Sequence, residues 1–494
     1  EAYFRDYAEN AREMSATAAP SAVAVAGEAD ATSYPIPEPP MPAPTPGPLD
    51  DNTFVDAGES RWVTTDEDRE STFALDVDTG SYRVAEAFLA QGYLPERDSI
   101  RAEEWINAYR YGDTPSEGGL GATVETGVVG GQLMMRVGIT TPELAAEDRP
   151  AANVTFVIDT SGSMDIRERL GLVKSSLALL VRELRDDDSV AIVIYGSEAS
   201  PLLAPTPVAE WERIVAAIDE LQPGGSTNME AGLMLGYRQA RDMFDPDAVN
   251  VVVLASDGVA NVGTTDADVL TDQIAEAGRD GIHLVTVGYG MGNYNDHLME
   301  QLANLGDGFY SYVDTFAEAE RLFVHDLTPT LAVVAEQAKV QVVFDDSVVA
   351  RYRLIGYANR ALDDSQFRDD TVDAGELGAG HQVSAVYELD LVEGAAADAV
   401  AGELRLRWEA PGTGEVTETN TPIVLGGSDA EVAPGLRLAA TVGHAAEVLR
   451  ADTVVAERGI TLAMLRADAD ALAAEGVPGA SDLVALLAAA LAAG

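Results

Sequence analysis

Two carboxylates and three hydroxyls occur at points where a strand pattern hands over to a helix pattern. Asp159, Ser161 and Ser163 follow the apolar run Val154-Thr155-Phe156-Val157-Ile158 and open a long amphipathic segment. Thr227 follows Gly224-Gly225-Ser226 and precedes a second helical segment, and Asp257 follows Val251-Val252-Val253-Leu254-Ala255-Ser256. In open α/β sheets ligands gather beyond the carboxyl ends of strands, where the strand order reverses. Carboxylates with hydroxyls suit hard divalent cations, so this set is expected to hold magnesium, or manganese or calcium, and not zinc. Five protein oxygens leave an octahedral shell one ligand short. An Asp or Glu side chain from a partner could fill that place, helped by the positive end of the helix that begins near Met164. Ser and Asp are also common helix caps, so any one of these residues alone says little. It is the ordered set that points to a metal.

Strands expected at Val154–Ile158, Val190–Tyr195, Val251–Ala255, Ile282–Val287 and Gly308–Tyr312 alternate with helical segments, as in a parallel sheet with crossover helices. In the first helix Ile166, Leu170, Val173, Leu177, Leu180 and Leu184 recur at steps of four and three, which marks one buried stripe. After residue 338 the period changes to two: Val383, Ala385, Tyr387, Leu389 and Leu391, then Leu404, Leu406 and Trp408, alternate with polar residues. That pattern predicts half-buried antiparallel strands. Further strands are expected near Thr123–Val129 and Leu133–Thr141, and these should join the later strands in one sandwich with the α/β unit inserted between them. Near-alternating prolines from Pro35 to Pro48 predict an extended spacer.

The expected organisation is therefore a leader helix and Ala-rich segment over 1–30, a Pro-rich linker over 31–50, and a small α+β domain over 51–118. Strands over 119–147 join the C-terminal β domain. An α/β domain spans 150–328, a β-sandwich-like domain 335–430, and helices close the chain over 431–494.

Asp159, Ser161 and Ser163, then Thr227, then Asp257, resemble the metal-ion-dependent adhesion site of the von Willebrand factor type A domain, D-x-S-x-S with a later T and a later D. The resemblance implies a Rossmann-like domain with a central, mostly parallel sheet of about six strands and helices on both faces. It also implies magnesium or manganese at the site and metal-bridged protein recognition. The flanks are similar to a bacterial exported family of the YfbK type, through Ser71-Thr72-Phe73-Ala74-Leu75-Asp76-Val77-Asp78-Thr79-Gly80-Ser81-Tyr82, Tyr352-Arg353-Leu354-Ile355-Gly356-Tyr357 and Asp373-Ala374-Gly375-Glu376-Leu377-Gly378. With these segments the resemblance runs from about 52 to 494. Asn293, Tyr294 and Asn295 follow the Ile282–Val287 strand and are expected on the same rim as the metal, flanking the partner surface. Asp76 with Asp78, and Asp369-Asp370 with Asp373, are weaker candidates for a second cation.

Among 494 residues, 83 are acidic and 31 basic, for a formal net charge of −52; Lys174 and Lys339 are the lysines. Such a surface repels phosphate backbones and anionic membranes, and suits a saline medium that screens its self-repulsion. There is no cysteine, so thiolate catalysis and disulfides are excluded. The apolar tail from Leu483 to Ala493 is shorter than the ~20 residues of a spanning helix. The chain begins at Glu1 without a leader pattern, which fits an extracytoplasmic protein whose signal peptide has been removed. The expected function is non-catalytic capture of an acidic side chain on a protein partner, or on another copy of the chain. The alternatives are a metal-dependent hydrolase and an adaptor of an ATPase complex. Against the first, His283, His297, His325, His381 and His444 show no zinc-type spacing, and no G-x-S-x-G elbow occurs.

Overall fold

The computed structural model describes residue 54 and residues 58–494, apart from 76, 146–147, 166, 258–266, 291–295, 326–331, 358–361, 370–371, 373, 412 and 427–430. The leader and spacer expected over 1–50 lie outside the described residues, as do Asn293, Tyr294 and Asn295.

In chain order the first elements are β1 (Val63–Thr64), β2 (Glu70–Ala74), α1 (Gly80–Ala90), α2 (Ala102–Asn107), β3 (Gly121–Val129) and β4 (Gln132–Thr140). The α/β unit follows with β5 (Ala152–Asp159), α3 (Arg167–Glu183), β6 (Ser189–Tyr195), β7 (Ala199–Pro207), α4 (Trp211–Asp219), α5 (Met229–Asp242) and β8 (Val249–Ser256). It continues through α6 (Ala267–Arg279), β9 (Ile282–Tyr289), α7 (Asp296–Leu305), β10 (Tyr310–Val313) and α8 (Phe316–Glu320). Then come β11 (Val333–Phe344), β12 (Val349–Ile355), β13 (Gly375–Gly378), β14 (Gln382–Leu391), β15 (Val400–Ala410) and β16 (Glu415–Val424). The chain closes with α9 (Pro434–Arg450), α10 (Thr453–Glu457), α11 (Leu462–Ala474) and α12 (Ala480–Ala493).

The α/β sheet runs β10-β9-β8-β5-β6-β7. Its inner strands are parallel, and only β7 is antiparallel to its neighbour. Helices cover both faces, so β5 reads as continuous apolar sequence and is almost wholly buried. Strand β5 lies between β6 and β8, so the chain leaves it first to one side and then to the other. The carboxyl end of β5 is thus the topological switch point. On α3 the expected stripe of Leu170, Val173, Leu177, Leu180 and Leu184 is buried, while Ile166 lies outside the described residues. The sixth strand, β7, escapes a sequence reading because it carries Pro201, Pro205 and Pro207. Proline lacks the amide donor and is tolerated at such an edge.

Two antiparallel sheets form a sandwich beside this unit. One runs β1-β12-β14-β4-β3, the other β13-β11-β15-β16, with β2 on β11. Met135, Val137 and Ile139 of β4 pack with Val340, Val342 and Phe344 of β11 and with Leu404 and Leu406 of β15.

The separate α+β domain expected over 51–118 is corrected by these pairings. Val63 faces Tyr352 on β12 and Phe73 faces Val340 on β11. Tyr82, Trp105 and Ile106 share a core with Leu436, Leu483 and Leu487 of the C-terminal helices. The segment divides its apolar side chains among three cores, those of the sandwich, the C-terminal helices and the α/β unit. Helix α1 shows this most plainly: Val84, Ala87 and Phe88 enter the α/β core while Tyr82, Ala85 and Leu89 enter the helical one. At ~2 kcal/mol for each large apolar side chain, that double burial ties the two units together. Asp78 adds a polar tie, accepting the Tyr310 N–H of β10 at 2.9 Å.

The sandwich meets the C-terminal helices through a buried ionic joint. Arg353 of β12 donates from Nε to Glu388 of β14 at 2.8 Å, and from Nη1 and Nη2 to Glu447 of α9 at 2.6 and 3.0 Å. His444 and Arg458 also bond Glu388. Among the described residues no helix is long and apolar enough to cross a membrane.

Candidate metal centre

Strand β5 delivers Asp159 to the switch point, where the side chain is wholly buried. Its Oδ1 accepts the Ser161 N–H at 2.8 Å, which turns the chain back over the strand end. Its Oδ2 accepts the Ser256 hydroxyl at 3.0 Å and the Tyr195 hydroxyl at 3.3 Å. The Ser161 and Ser163 hydroxyl oxygens are 2.9 Å apart, on the turn that leads into α3.

The loop carrying Thr227 is pinned against this turn by backbone bonds. Gly162 N–H reaches the Gly225 carbonyl at 3.0 Å, and Gly224 N–H reaches the Thr160 carbonyl at 2.6 Å. Gly225 sits at φ +93°, and a Cβ there would stand 2.9 Å from the Ser197 nitrogen, so glycine is required by both conformation and space. Thr227 is buried, and Asn228 then caps α5 through Ala231 N–H at 3.1 Å. Asp257 follows β8 and is also wholly buried. Its Oδ2 accepts Arg169 Nη1 at 2.7 Å, and the same Nη1 donates to the Ser163 carbonyl at 3.3 Å.

Burial pushes the Asp159 carboxyl up to about 6, and the Asp257 charge adds to the rise, against the lowering bonds from Ser161 and Ser256. The Tyr195 hydroxyl is raised well above its ordinary value by burial and by Asp159. Two carboxylates thus sit near each other in a dry place, with the Ser161 and Ser163 hydroxyls on the adjoining turn. This oxygen set fits a hard divalent cation, because a positive ion would offset the cost that raises Asp159. Among the described residues no group of three or more His, Cys, Asp or Glu gathers as a metal site. A centre here therefore has to use hydroxyls with its two carboxylates.

The structure brings Asp159, Ser161, Ser163 and Asp257 to one rim and fastens the Thr227 loop beside them. The residues that sequence reasoning missed are Tyr195, Ser256 and Arg169. Tyr195 faces Asp159 in the β5–β6 register, which only the pairing shows. Arg169 did leave a signal: with Val173, Ser176 and Leu180 it falls on one buried face of α3, where a charge needs a partner. Of the second-cation candidates, Asp76, Asp370 and Asp373 lie outside the described residues. Asp78 is a buried backbone acceptor, and Asp369 meets Lys339 through its carbonyl at 2.5 Å.

Three family models match successive parts of the chain: von Willebrand factor over 48–129, von Willebrand factor type A domain over 153–325, and "Uncharacterized protein YfbK, C-terminal" over 329–490. The Escherichia coli protein "Uncharacterized protein YfbK" is 38% identical over 343 residues, covering 65% of this chain and 58% of that protein. "Uncharacterized protein sll0103" from Synechocystis is 27% identical over 200 residues, covering 40% of this chain and 46% of its own length. The chain thus spans about half to three fifths of the length of these relatives. A solved structure, von Willebrand factor type A from Catenulispora acidiphila, aligns with a TM-score of 0.43 at 15% identity, covering 77% of this chain and 87% of that one. Domains of this type commonly mediate protein–protein interaction and are generally non-enzymatic. The α/β match overlies the sheet that carries Asp159 and Asp257, and the C-terminal match overlies the sandwich and closing helices, so the chain carries a von Willebrand factor type A domain and is similar in its C-terminal part to the YfbK proteins.

Proposed function

We propose that this protein is a non-catalytic, extracytoplasmic binding protein whose α/β domain uses a divalent cation to capture an acidic side chain of a protein partner. The observation that carries this reading is the pair of buried carboxylates, Asp159 and Asp257, at the ends of two adjacent strands with Ser161 and Ser163 beside them. Asp159, Ser161, Ser163, Thr227 and Asp257 would hold magnesium, or manganese or calcium. A bound ion would supply a Lewis-acidic position that a partner's carboxylate oxygen can fill. Ser256 and Tyr195 orient Asp159, and Arg169 orients Asp257, so neither carboxylate must reorganise on binding. Asn293, Tyr294 and Asn295 follow β9 and would flank the partner. The acidic, lysine-poor composition supports a location facing salt water. A molecule of this charge repels acidic partners, another copy of the chain included, so self-capture would need a medium whose salt screens that repulsion.

Light scattering at high salt, with magnesium or with chelator, tests this on the wild type and on Asp257→Ala. Assembly that needs both magnesium and Asp257 supports self-capture. A monomer in every condition removes self-capture and directs the search to another acidic protein. Failure of the wild type to bind magnesium or manganese in a direct titration overturns the reading.

A further inference from the structure

Arg169 is 3% exposed and pairs with Asp257, which has no exposed surface at all. Three pieces of chain hold its guanidinium: α3 carries it, the end of β8 supplies Asp257, and Ser163 offers its carbonyl. Gly290, at the end of β9, closes over it. A Cβ at that position would stand 2.5 Å from Nε and 2.7 Å from Cγ of Arg169, and Gly290 sits at φ +77°. The arginine is therefore fixed against the metal ligands by close packing, and its charge belongs permanently to the centre.

Electrostatics then assigns it a role. Asp159 and Asp257 bring two negative charges, which a divalent cation alone would cancel. A neutral centre has little pull on a carboxylate, least of all on a molecule of net charge −52. Summed over Asp159, Asp257, a divalent cation and Arg169, the charge is about one net positive. We propose that Arg169 sets the specificity of the centre for acidic ligands, loosening its grip on the metal while tightening its grip on the incoming carboxylate. This rests on the reading of the site given under Proposed function. A residue that only positioned Asp257 would act differently, since its loss would weaken metal and ligand binding together.

The test uses the whole chain at one fixed salt concentration, with thermal melting as a check on folding. Manganese affinity is read from the free-ion paramagnetic resonance signal. Binding of the probe N-acetylglutamate to manganese-loaded protein is read from water proton relaxation. Arg169→Gln, which keeps a hydrogen-bond donor but loses the charge, is expected to bind manganese about tenfold more tightly and the probe about tenfold more weakly. Arg169→Lys should stay within about threefold of wild type in both. If Arg169→Gln does not fold, Gly290→Ala, which crowds the guanidinium away from Asp257, should shift both affinities in the same two directions. Loss of both affinities, or no change in either, overturns the role of Arg169 while leaving the centre intact. A wild type that binds no manganese overturns the centre itself.

Discussion

Among the places where this molecule buries carboxylates, the joint between sandwich and helices and the rim of the α/β sheet balance their charge in opposite ways. At the joint between sandwich and helices, Glu388 is met by Arg353, Arg458 and His444, and Glu447 by both terminal nitrogens of Arg353. Burial alone would raise Glu388, but the His444 hydrogen bond and the Arg353 charge outweigh it and hold the carboxyl down at about 2. At the rim of the α/β sheet, the described donors to Asp159 are all neutral: one amide and two hydroxyls. Burial wins there, and the carboxyl rises to about 6. The difference separates structure from function. Glu388 is compensated by the chain's own cations, whereas Asp159 has neutral donors, although burial also raises Glu447 at the joint and Arg169 pairs with Asp257 at the rim.

The joint is the costlier of the two to disturb. Arg353→Met leaves Glu388 and Glu447 buried without their shared guanidinium, and should cost about 3–5 kcal/mol in a denaturant melt. The pH dependence has a definite sign. Because the folded Glu388 carboxyl lies below its ordinary 4.5, its stabilisation is complete above that value and is lost as the pH falls toward 2. Glu388→Gln should remove roughly 3 kcal/mol of that acid-dependent loss, seen as a flatter stability profile between pH 5 and 2 on the order of those carboxyl values. At the rim the expected change is a gain on adding ligand. Magnesium at a hundredfold excess over its Kd should stabilise the wild type by about 2.7 kcal/mol, and Asp257→Ala should abolish that gain in a thermal melt. The gain should fade below about pH 6, where Asp159 takes up a proton that competes with the cation. The smallest effect is expected for Gly225→Ala, which strains a backbone at φ +93° against Ser197. About 1–2 kcal/mol of stability should be lost, together with a weaker magnesium response, because the loop bearing Thr227 is displaced.

Much of this molecule is legible before any coordinates. The runs Val154–Ile158 and Val251–Ala255, the α3 stripe and the period-two pattern after residue 382 all follow from local geometry, because helix and strand periodicities repeat within a few residues. The placement of Asp159, Ser161, Ser163, Thr227 and Asp257 was readable for the same reason, since each sits at a strand end or helix start that its neighbours announce. Strand β7 was not, because its prolines are acceptable only at an edge and the sequence does not say which strand is the edge. Nor was the division of 51–118 between other units, because β1 and β2 pair with strands more than 260 residues away.

The amino-acid sequence alone fixes which groups are on offer: carboxylates and hydroxyls at turns, no thiolate, and a formal net charge of −52. What the tertiary structure decided is the electrical state of that chemistry. Tyr195, Ser256 and Arg169 reach the site from β6, β8 and α3, and their effect on Asp159 and Asp257 depends on distances of about 3 Å that only strand register and helix packing set. Residue types are written locally, whereas charge balance is a sum over neighbours in space.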